Sequence, residues 1–261
     1  MVKVSLEEWM PLYYGIAREL GLSPAEDRRA TLLLSRLLQG KSASLDLLEA
    51  LLAERRVMVF GAGPSLERAL EHVDLGEARR RFVLVAADGA TSALLERGVM
   101  PHIVCTDLDG RVEDQLASSA EGSVVVVHAH GDNIPALERY ASAFTGPVLG
   151  STQVEPALYV HNFGGFTDGD RCVFLALWGG ATEVVLMGMD LGPKVGRYSK
   201  PWLRGEVEAW GWKAAKLRIA KRLLEWLAQR CGSVKLYAVG GGLEGFTPLS
   251  EVELQGLTEG F

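Results

Sequence analysis

Two aspartates one residue apart, Asp107 and Asp109, follow a short apolar run in the stretch PHIVCTDLDG. If the strand stays extended, both carboxylates point to the same side, because side chains repeat every second residue. Paired carboxylates suit a hard cation such as Mg²⁺, which keeps several waters and also binds the phosphates of a substrate. Asp88, at the end of a neighbouring apolar run, is the third candidate ligand. Because Asp and Gly are ordinary turn residues, a surface turn without a metal is the alternative.

The glycine-rich segment GAGPSLE, residues 61–67, is a candidate anion site. Gly61 and Gly63 follow the apolar run VMVF, and Ser65 stands where a helix is predicted to begin. Backbone N–H groups at such a turn face an anion at the positive end of the helix, as in dinucleotide and adenosyl-methionine sites. The segment lacks the third glycine of the GxGxxG pattern. A tight strand-to-helix turn capped by Ser65 is therefore the alternative.

The segment HAHGDN, residues 128–133, allows two kinds of site. His128 and His130 have the spacing of a zinc-binding pair, as in metal-dependent hydrolases, but a catalytic zinc needs a third protein ligand. The remaining histidines of the chain fall into no paired spacing. We favour the interpretation in which Asp132 and Asn133 open the next helix, with Asp132 near its positive end, while the histidines line a cleft.

A long predicted helix, residues 205–230, carries Lys213 and Lys216 on or beside its apolar arc. An inward lysine usually extends its ammonium group to solvent, but two lysines one turn apart could meet anionic oxygens. The preceding connection, GPKVGRYSKPW at residues 192–202, is rich in Gly, Pro and cations. Such a connection is typical of a lid or a binding loop, and otherwise of plain surface.

The runs between these motifs predict the elements that position them. Strands are predicted at residues 57–60, 82–87, 102–106, 123–129, 147–150, 183–188 and 233–239, and helices at 65–71, 90–97, 111–119, 133–143, 169–178 and 205–230. Apolar strands alternating with helices predict an α/β fold with a doubly wound, mostly parallel sheet and helices on both faces. Ligands of such a sheet bind at the carboxyl ends of its strands, which is where the Asp and Gly motifs stand.

In residues 1–55 the apolar residues recur at helical spacing. This pattern predicts a small helical N-terminal region ahead of an α/β domain at 56–261. Ser5 with Glu8, and Ser23 with Glu26, have the spacing of capping boxes. The region is too short to bury much apolar surface alone. Its aromatic residues could pack on the core or on another subunit, which leaves a homo-oligomer open; they are Trp9, Tyr13 and Tyr14.

The composition narrows the class of protein. The chain has 261 residues, of which 48% are hydrophobic, so wholesale disorder is excluded. The net charge of −6 argues against a nucleic acid or a membrane as partner. We expect a cytoplasmic protein, because the N-terminus lacks the pattern of a signal peptide and no apolar run approaches a membrane span. The three cysteines show no CxxC spacing, so we expect them to be free thiols, which is usual in a reducing cytoplasm.

The ordered motifs resemble a known family. The stretch ADGATSALLERGVMPHIVCTDLDG is similar to a segment of thiamine pyrophosphokinases. The set GxGPSL, ADGA, TDLDG, HxHGDN, GFTDGDR and GMDxG…YS, followed by a lysine-bearing helix, resembles the archaeal 6-hydroxymethyl-7,8-dihydropterin pyrophosphokinases of the MptE-like family. The similarity spans roughly residues 57 to 230, and the ordered set is far more specific than any one motif.

The resemblance implies a catalytic domain related to that of thiamine pyrophosphokinases. It implies ATP-dependent and Mg²⁺-dependent transfer of diphosphate to the hydroxymethyl group of 6-hydroxymethyl-7,8-dihydropterin, with release of AMP, in tetrahydromethanopterin or folate-type pterin biosynthesis. Asp107, Asp109 and Asp132 are then the catalytic acids. Asp88, Asp107 and Asp109 would hold the metal. The residues expected at the nucleotide, the phosphates or the pterin are Gly61, Gly63, Ser65, Asp88, Asn133, Asp168, Asp170, Arg171, Lys213 and Lys216.

Two other functions stay open at the level of sequence. A non-catalytic nucleotide-sensing module would bind ATP without turnover. An adenosyl-methionine-dependent methyltransferase could be built on GAGPS, but that reaction needs no metal-binding acids at a neighbouring strand end. The chain also departs from the thiamine pyrophosphokinase pattern at Ala90 and Gly110, so roles assigned to the family's side chains there do not transfer.

Overall fold

The structure is a computed structural model that describes residues 2–259. Within that range, nine strands form one sheet, and they are β1 Arg56–Phe60, β2 Val83–Ala87, β3 Ile103–Thr106, β4 Val124–Ala129, β5 Val148–Thr152, β6 Val160–His161, β7 Glu183–Met187, β10 Lys235–Val239 and β11 Thr247–Leu249. Their order in the sheet is β11-β10-β7-β1-β2-β3-β4-β5-β6, and each neighbouring pair is parallel. Two further strands, β8 Lys194–Val195 and β9 Val207–Glu208, form an antiparallel pair.

Helices cover both faces of the sheet. They are α1 Leu6–Leu20, α2 Pro24–Leu37, α3 Leu45–Leu52, α4 Leu66–Glu71, α5 Leu75–Arg81, α6 Ala90–Leu95, α7 Val112–Ala120, α8 Ile134–Tyr140, α9 Asp168–Trp178, α10 Gly211–Ala228 and α11 Glu251–Glu259. Alternate residues of one strand enter different cores: Val57 and Val59 pack with α1, α3, α9 and α10, whereas Met58 and Phe60 pack with α4, α5 and α6. The predicted doubly wound α/β fold is therefore confirmed.

The N-terminal helices straddle the sheet. Trp9 and Tyr13 of α1 are 1% and 0% exposed and belong to the core on one face, while Leu34 of α2 belongs to the core on the other face. Of the three aromatic residues considered for a subunit contact, only Tyr14 keeps an exposed side chain. The chain passes from one face to the other at Gly21, whose φ of 66° caps α1 in the left-handed region. The boundary at residue 55 between a helical N-terminal region and an α/β domain stays a prediction.

Helix beginnings follow the expected caps in part. Ser5 and Glu8 form the predicted capping box of α1. The Ser23 side chain caps α2 by accepting the Glu26 N–H. The capping box is incomplete, because the Glu26 carboxylate pairs with Arg29 instead of accepting the Ser23 N–H. The expected long helix begins at Gly211 rather than at residue 205, because the preceding residues form β9 and Trp210 is extended.

The sequence patterns missed several short elements. Strands β6, β8 and β9 have only two residues each, too few for an alternating pattern to be recognised. Helices α5 and α11 were also not predicted. Among the described residues, no helix combines the length and apolar character required to cross a membrane.

Candidate functional site

A cavity of about 490 Å³ opens at the carboxyl ends of the central strands. Its lining includes residues that directly follow β7, β1, β2, β3, β4 and β5, together with parts of α2, α9, α10 and the loop from β8 to β9. This is the edge at which a doubly wound sheet binds ligands, and the volume is that of an ordinary small-molecule site. The predicted position of the site is therefore where the structure has its cavity.

Asp88, Asp107 and Asp109 converge on the cavity floor, and we call them the carboxylate triad. One oxygen of each carboxylate lies within 4.8 Å of the others. The geometric reason given from the sequence was wrong, because β3 ends at Thr106 and Leu108 has a φ of 67°. The buried Leu108 side chain anchors this turn, and the Asp109 N–H donates to Oδ1 of Asp107 (3.3 Å). A left-handed turn therefore brings the two carboxylates together.

Asp88 is the buried member of the triad, at a φ of 40°. Its Oδ1 accepts hydrogen bonds from Oγ1 of Thr106 (2.8 Å) and Nε2 of Gln115 (2.7 Å). Burial, and then the charges of Asp107 and Asp109, raise the pKa of Asp88 to about 7. A β-carbon at Gly110 would overlap Oδ2 of Asp88, so glycine keeps room beside this carboxylate. Three close carboxylates that repel one another fit a divalent cation with oxygen ligands.

Two basic side chains face the other members of the triad. Nε2 of His130 lies 3.5 Å from Oδ2 of Asp107, and Nζ of Lys200 forms an ion pair with Asp109. Burial alone would raise the pKa of Asp107, but the contact with His130, the charge of Lys200 and the hydrogen bond from Asp109 together outweigh burial and hold the pKa well below its usual range. Burial, and then the Asp107 charge, raise the pKa of Asp109. The sequence patterns do not single out Lys200 as a site residue, although it belongs to the cationic connection at residues 192–202.

The glycine-rich loop after β1 reaches the cavity, but Ser65 does not line it. Gly61 and Gly63 line the cavity, and a β-carbon at Gly61 would lie 2.5 Å from Sδ of Met189. The Ser65 N–H and hydroxyl both donate to Oδ2 of Asp190 (3.1 and 2.9 Å). The alternative in which the Ser65 side chain caps the helix is wrong, because helix α4 has no side-chain cap hydrogen bond. Ser65 instead ties this loop to the loop after β7.

The HAHGDN segment divides into lining and bracing residues. Asp132 and His130 line the cavity, with Asp132 at the rim, where 74% of its side chain is exposed. Asn133 is buried and braces the loop, because its Nδ2 donates to the carbonyls of Asp107 (2.8 Å) and His128 (2.7 Å). In residues 2–259, the side chains close enough to share an ion are the triad carboxylates and include no histidine. The zinc alternative therefore has no support from this geometry.

The GFTDGDR segment brings two of its three expected residues to the cavity. Asp168 and Arg171 line it, whereas Asp170 is fully buried and accepts the N–H groups of Phe166 and Thr167 (both 2.7 Å) at the start of α9. Asp170 therefore shapes the loop and caps α9. Burial, and then the charges of Asp107 and Asp88, raise the pKa of Asp168 well above its usual value.

A buried polar network that the sequence did not indicate closes one end of the cavity. Oδ2 of Asp27 accepts from the Tyr13 hydroxyl (2.6 Å) and from Nε2 of Gln153 (2.6 Å), and its Oδ1 accepts from the Gly131 N–H (2.7 Å). Oε1 of Gln153 in turn accepts from Nη2 of Arg171 (2.8 Å). No local pattern identifies these partners, since Asp27 and Gln153 are 126 residues apart.

The inward lysines of α10 reach the cavity. Lys213 and Lys216 both line it, and Nζ of Lys216 lies 5.9 Å from the centroid of the Phe166 ring. Burial, and then the charge of Lys200, lower the pKa of Lys213. The cavity thus has a floor of carboxylates facing Lys200, Lys213 and Lys216, an arrangement suited to a ligand that carries a metal and several anionic oxygens.

The chain is similar to a protein-family model and to several named proteins along most of its length. A model of the family described as 6-hydroxymethylpterin diphosphokinase MptE-like matches residues 33–196. A protein of Pyrococcus furiosus named 6-hydroxymethyl-7,8-dihydropterin pyrophosphokinase is 49% identical over 85% of this chain and 93% of its own. Proteins with the same name from Methanothermobacter thermautotrophicus and Methanocaldococcus jannaschii are 49% and 34% identical, over 69% and 87% of this chain and 76% and 97% of their own.

A solved structure shares the fold. The MAf glycosyltransferase from Magnetospirillum magneticum AMB-1 superposes with a TM-score of 0.57 over 89% of this chain, which spans 39% of the length of that chain. At 19% identity this likeness concerns the fold alone. The matching family model and the similarity to the relatives along most of the sequence show that the chain belongs to the MptE-like family of 6-hydroxymethylpterin diphosphokinases.

Proposed function

We propose that this protein transfers a diphosphate group from ATP to the hydroxymethyl group of 6-hydroxymethyl-7,8-dihydropterin, with Mg²⁺ as the metal and AMP as the second product. The names of the relatives support the pterin and the pyrophosphokinase reaction. The observation that carries the proposal is the convergence of Asp88, Asp107 and Asp109 within 4.8 Å, on the floor of a cavity with inward lysines.

The triad residues are the proposed metal ligands. Their donors are all carboxylate oxygens, which Mg²⁺ prefers, and Gly110 keeps room beside Asp88. When bound, the metal would neutralise charge on the phosphate oxygens of the nucleotide. Asn133 would stabilise the site, because its side chain binds the main chain of Asp107 after β3 and of His128 in β4.

In the proposed reaction the pterin hydroxyl oxygen bonds to the β-phosphorus of ATP. The bond from that phosphorus to the α,β-bridging oxygen breaks, and AMP leaves with the electron pair. Lys200, Lys213 and Lys216 line the cavity and are proposed to stabilise the negative charge that develops on these oxygens. Most of the catalytic effect in such a transfer comes from positioning and charge.

The hydroxyl proton needs an acceptor outside the triad. We assign this role to Asp132, which lines the cavity beside His130 (4.0 Å). Because most of its side chain is exposed, a proton accepted there can pass directly to solvent. Gly61 and Gly63 are proposed to lie against the nucleotide, and Asp168 and Arg171 against a substrate.

Product analysis tests the proposal. The protein is incubated with ATP, MgCl₂ and the reduced hydroxymethyl pterin, and AMP and ADP are quantified with and without the pterin. We expect AMP and the pterin diphosphate in equal amounts, only when the pterin and a divalent metal are both present. Formation of ADP would contradict the proposed bond cleavage. ATP binding without turnover would instead favour the nucleotide-sensing alternative.

A further inference from the structure

The cavity has two chemically different ends, one on each side of the carboxylate triad. The strands that reach it follow the order β7, β1, β2, β3, β4 and β5, so the triad after β2 and β3 stands in the middle. Gly61 and Gly63 line the end at β7 and β1, and Gly131 and Gln153 line the end at β4 and β5. Two substrates that meet at the triad can therefore each occupy one end.

The end at β7 and β1 is lined by the glycines Gly61, Gly63 and Gly188, together with residues such as Met189 and Lys194. A β-carbon at Gly63 would lie 2.5 Å from the Gly188 carbonyl oxygen, so the loops after β1 and β7 are in direct contact. The segment that carries Lys194 is held there, because the Gly196 N–H donates to the Ala62 carbonyl (3.2 Å). Glycine main chain lets a ligand approach closely, although the N–H groups of Gly61 and Gly63 already donate to the carbonyls of Met187 and Gly188 (both 2.8 Å). This end suits a nucleotide.

The end at β4 and β5 presents buried side chains instead. Asp27, Gln153 and Arg171 are 4%, 3% and 7% exposed and all line the cavity. Nε of Arg171 and Oδ1 of Asp168 are buried and have no hydrogen-bond partner among the described residues. A donor and an acceptor with unused hydrogen-bond capacity therefore stand side by side, since Oδ1 of Asp168 lies 4.0 Å from Nη1 of Arg171, and the Phe166 ring also lines the cavity.

The proposed acceptor has complementary chemistry. A pterin is a flat fused ring that carries a ring N–H, an amino group and a carbonyl oxygen on one edge. A carboxylate can accept from the first two groups and a guanidinium can donate to the third. A small flat ring also suits an end that offers a few fixed polar groups.

The orientation of Arg171 depends on the N-terminal helices. Its Nη2 donates to Gln153, and Gln153 is held by Asp27 of α2 and, through its carbonyl oxygen, by Nε1 of Trp9 on α1 (2.8 Å). Asp27 also holds the Gly131 N–H (2.7 Å) and thereby the loop that carries His130. Nε2 of Gln153 donates to this carboxylate at 2.6 Å.

Resting on the proposed function, we infer that the pterin ring binds at the β4–β5 end of the cavity, where Asp168 and Arg171 contact it. Asp27 and Gln153 are positioning residues that set the orientation of Arg171 for the pterin. The N-terminal helices are thus a part of the acceptor site, and the nucleotide occupies the β7–β1 end.

Separate binding measurements test this assignment. Titration calorimetry is run on the full chain with the reduced hydroxymethyl pterin under anaerobic conditions, and separately with α,β-methylene-ATP and MgCl₂. Because the loss of one buried hydrogen bond amounts to about 1–3 kcal/mol, we expect Asp27→Asn and Gln153→Leu to weaken pterin binding by about 10-fold or more. Nucleotide binding should change by less than about twofold, well under 1 kcal/mol. The matched control is Arg29→Gln, on the exposed side of the same helix.

Each result decides a different claim. If nucleotide binding weakens and pterin binding does not, the assignment of the two ends is overturned. If neither ligand is affected, Asp27 and Gln153 are not positioning residues. If the wild-type protein binds the nucleotide but no pterin, the proposed function itself fails, and the inference fails with it.

A second variant covers the case in which Asp27→Asn does not fold. Leu22 lies in the turn between α1 and α2, lines the cavity and leaves the polar network untouched. Leu22→Trp should obstruct the pterin end and raise the KM for the pterin with little change in the KM for ATP. A raised KM for ATP alone would contradict the inference.

Discussion

Asp107 belongs to the triad and also contacts His130 and Asn133 of the loop after β4, so its carboxylate tests the metal site most directly. In Asp107→Asn a neutral amide replaces one of the three anionic ligands. We expect turnover to fall by about 100-fold or more, because one of the three proposed ligands of the metal that neutralises the phosphate charge loses its negative charge. The variant should also bind Mn²⁺, used as a paramagnetic substitute for Mg²⁺, more weakly in an electron paramagnetic resonance titration.

Glu113→Gln is the control for this change, since Glu113 is an exposed carboxylate in the first turn of α7, six residues along the chain. It should leave both turnover and Mn²⁺ binding unchanged. Full activity in Asp107→Asn, with its fold intact, would show that the triad is not the metal site.

Replacement of Lys200 should have an effect on metal binding opposite to that of replacing Asp107. Its ammonium group pairs with Asp109, so Lys200→Gln releases a carboxylate for the cation and removes a charge proposed to face phosphate. We expect Mn²⁺ to bind as tightly as in the wild type or more tightly, while turnover falls by about 10-fold to 100-fold. The same titration and a steady-state assay measure the two effects.

Arg204→Gln is the matched control in the same loop, because Arg204 is exposed and lies outside the cavity lining. Weaker metal binding in Lys200→Gln would contradict the competition between Lys200 and the cation. An unchanged turnover would remove Lys200 from the proposed phosphate contacts.

The loops at the carboxyl ends depend on glycine where two of them touch. In Gly63→Ala the new β-carbon would overlap Asp190 and press on Gly188, so we expect a loss of about 1–3 kcal/mol in the free energy of unfolding. Gly15 lies inside α1 with nothing within 4 Å of the position of a β-carbon. Gly15→Ala should therefore stabilise the protein by about 0.5–1 kcal/mol, because alanine loses less backbone entropy in a helix. Urea unfolding measures both changes.

Equal effects of the two substitutions would contradict this account. Gly63→Ala should also weaken binding of α,β-methylene-ATP, whereas Gly15→Ala should not. A destabilised Gly63→Ala protein with unchanged nucleotide binding would place the nucleotide away from this loop.

For the molecule as a whole, the N-terminal helices share one core with the sheet. Trp9 is 1% exposed, packs edge-on against Phe174 with ring centroids 5.9 Å apart, and donates to the Gln153 carbonyl (2.8 Å). We expect Trp9→Ala to lower the free energy of unfolding by about 3–5 kcal/mol, the usual effect of removing a buried tryptophan. Far-ultraviolet circular dichroism and tyrosine fluorescence should still report one coincident transition.

Tyr14→Ala is the control, because Tyr14 is 45% exposed on the same helix. Its free energy of unfolding should change by no more than about 0.5 kcal/mol. Separate transitions for the helices and for the sheet would show that residues 1–55 form an independent unit.

The main architecture and most of the cavity floor could be predicted from sequence. Strand and helix patterns are local, because each depends on side chains within a few residues. Once the parallel sheet is inferred, residues that follow its strands must share one edge. The sequence therefore predicts that Asp88, Asp107 and Asp109 lie close together. The inward position of Lys213 and Lys216 followed from the same kind of local periodicity.

Other features were decided by tertiary structure alone. Asp168, Asp170 and Arg171 belong to one motif, yet Asp170 turns inward to cap α9 while the other two line the cavity. Asn133 and Ser65 were expected at ligands and instead brace loops, since their partners come from other strand ends. Lys200 reaches Asp109 from a loop 91 residues away in sequence.

The sequence by itself determined the α/β fold, the edge that holds the site and the acidic and glycine motifs on that edge, because periodicity and strand polarity are properties of short segments. Only the tertiary structure decided that Asp27 and Gln153 close one end of the cavity and hold Arg171. The physical reason is that buried hydrogen bonds join whichever polar groups the packed helices and strands bring within reach, and that proximity leaves no local pattern in the chain.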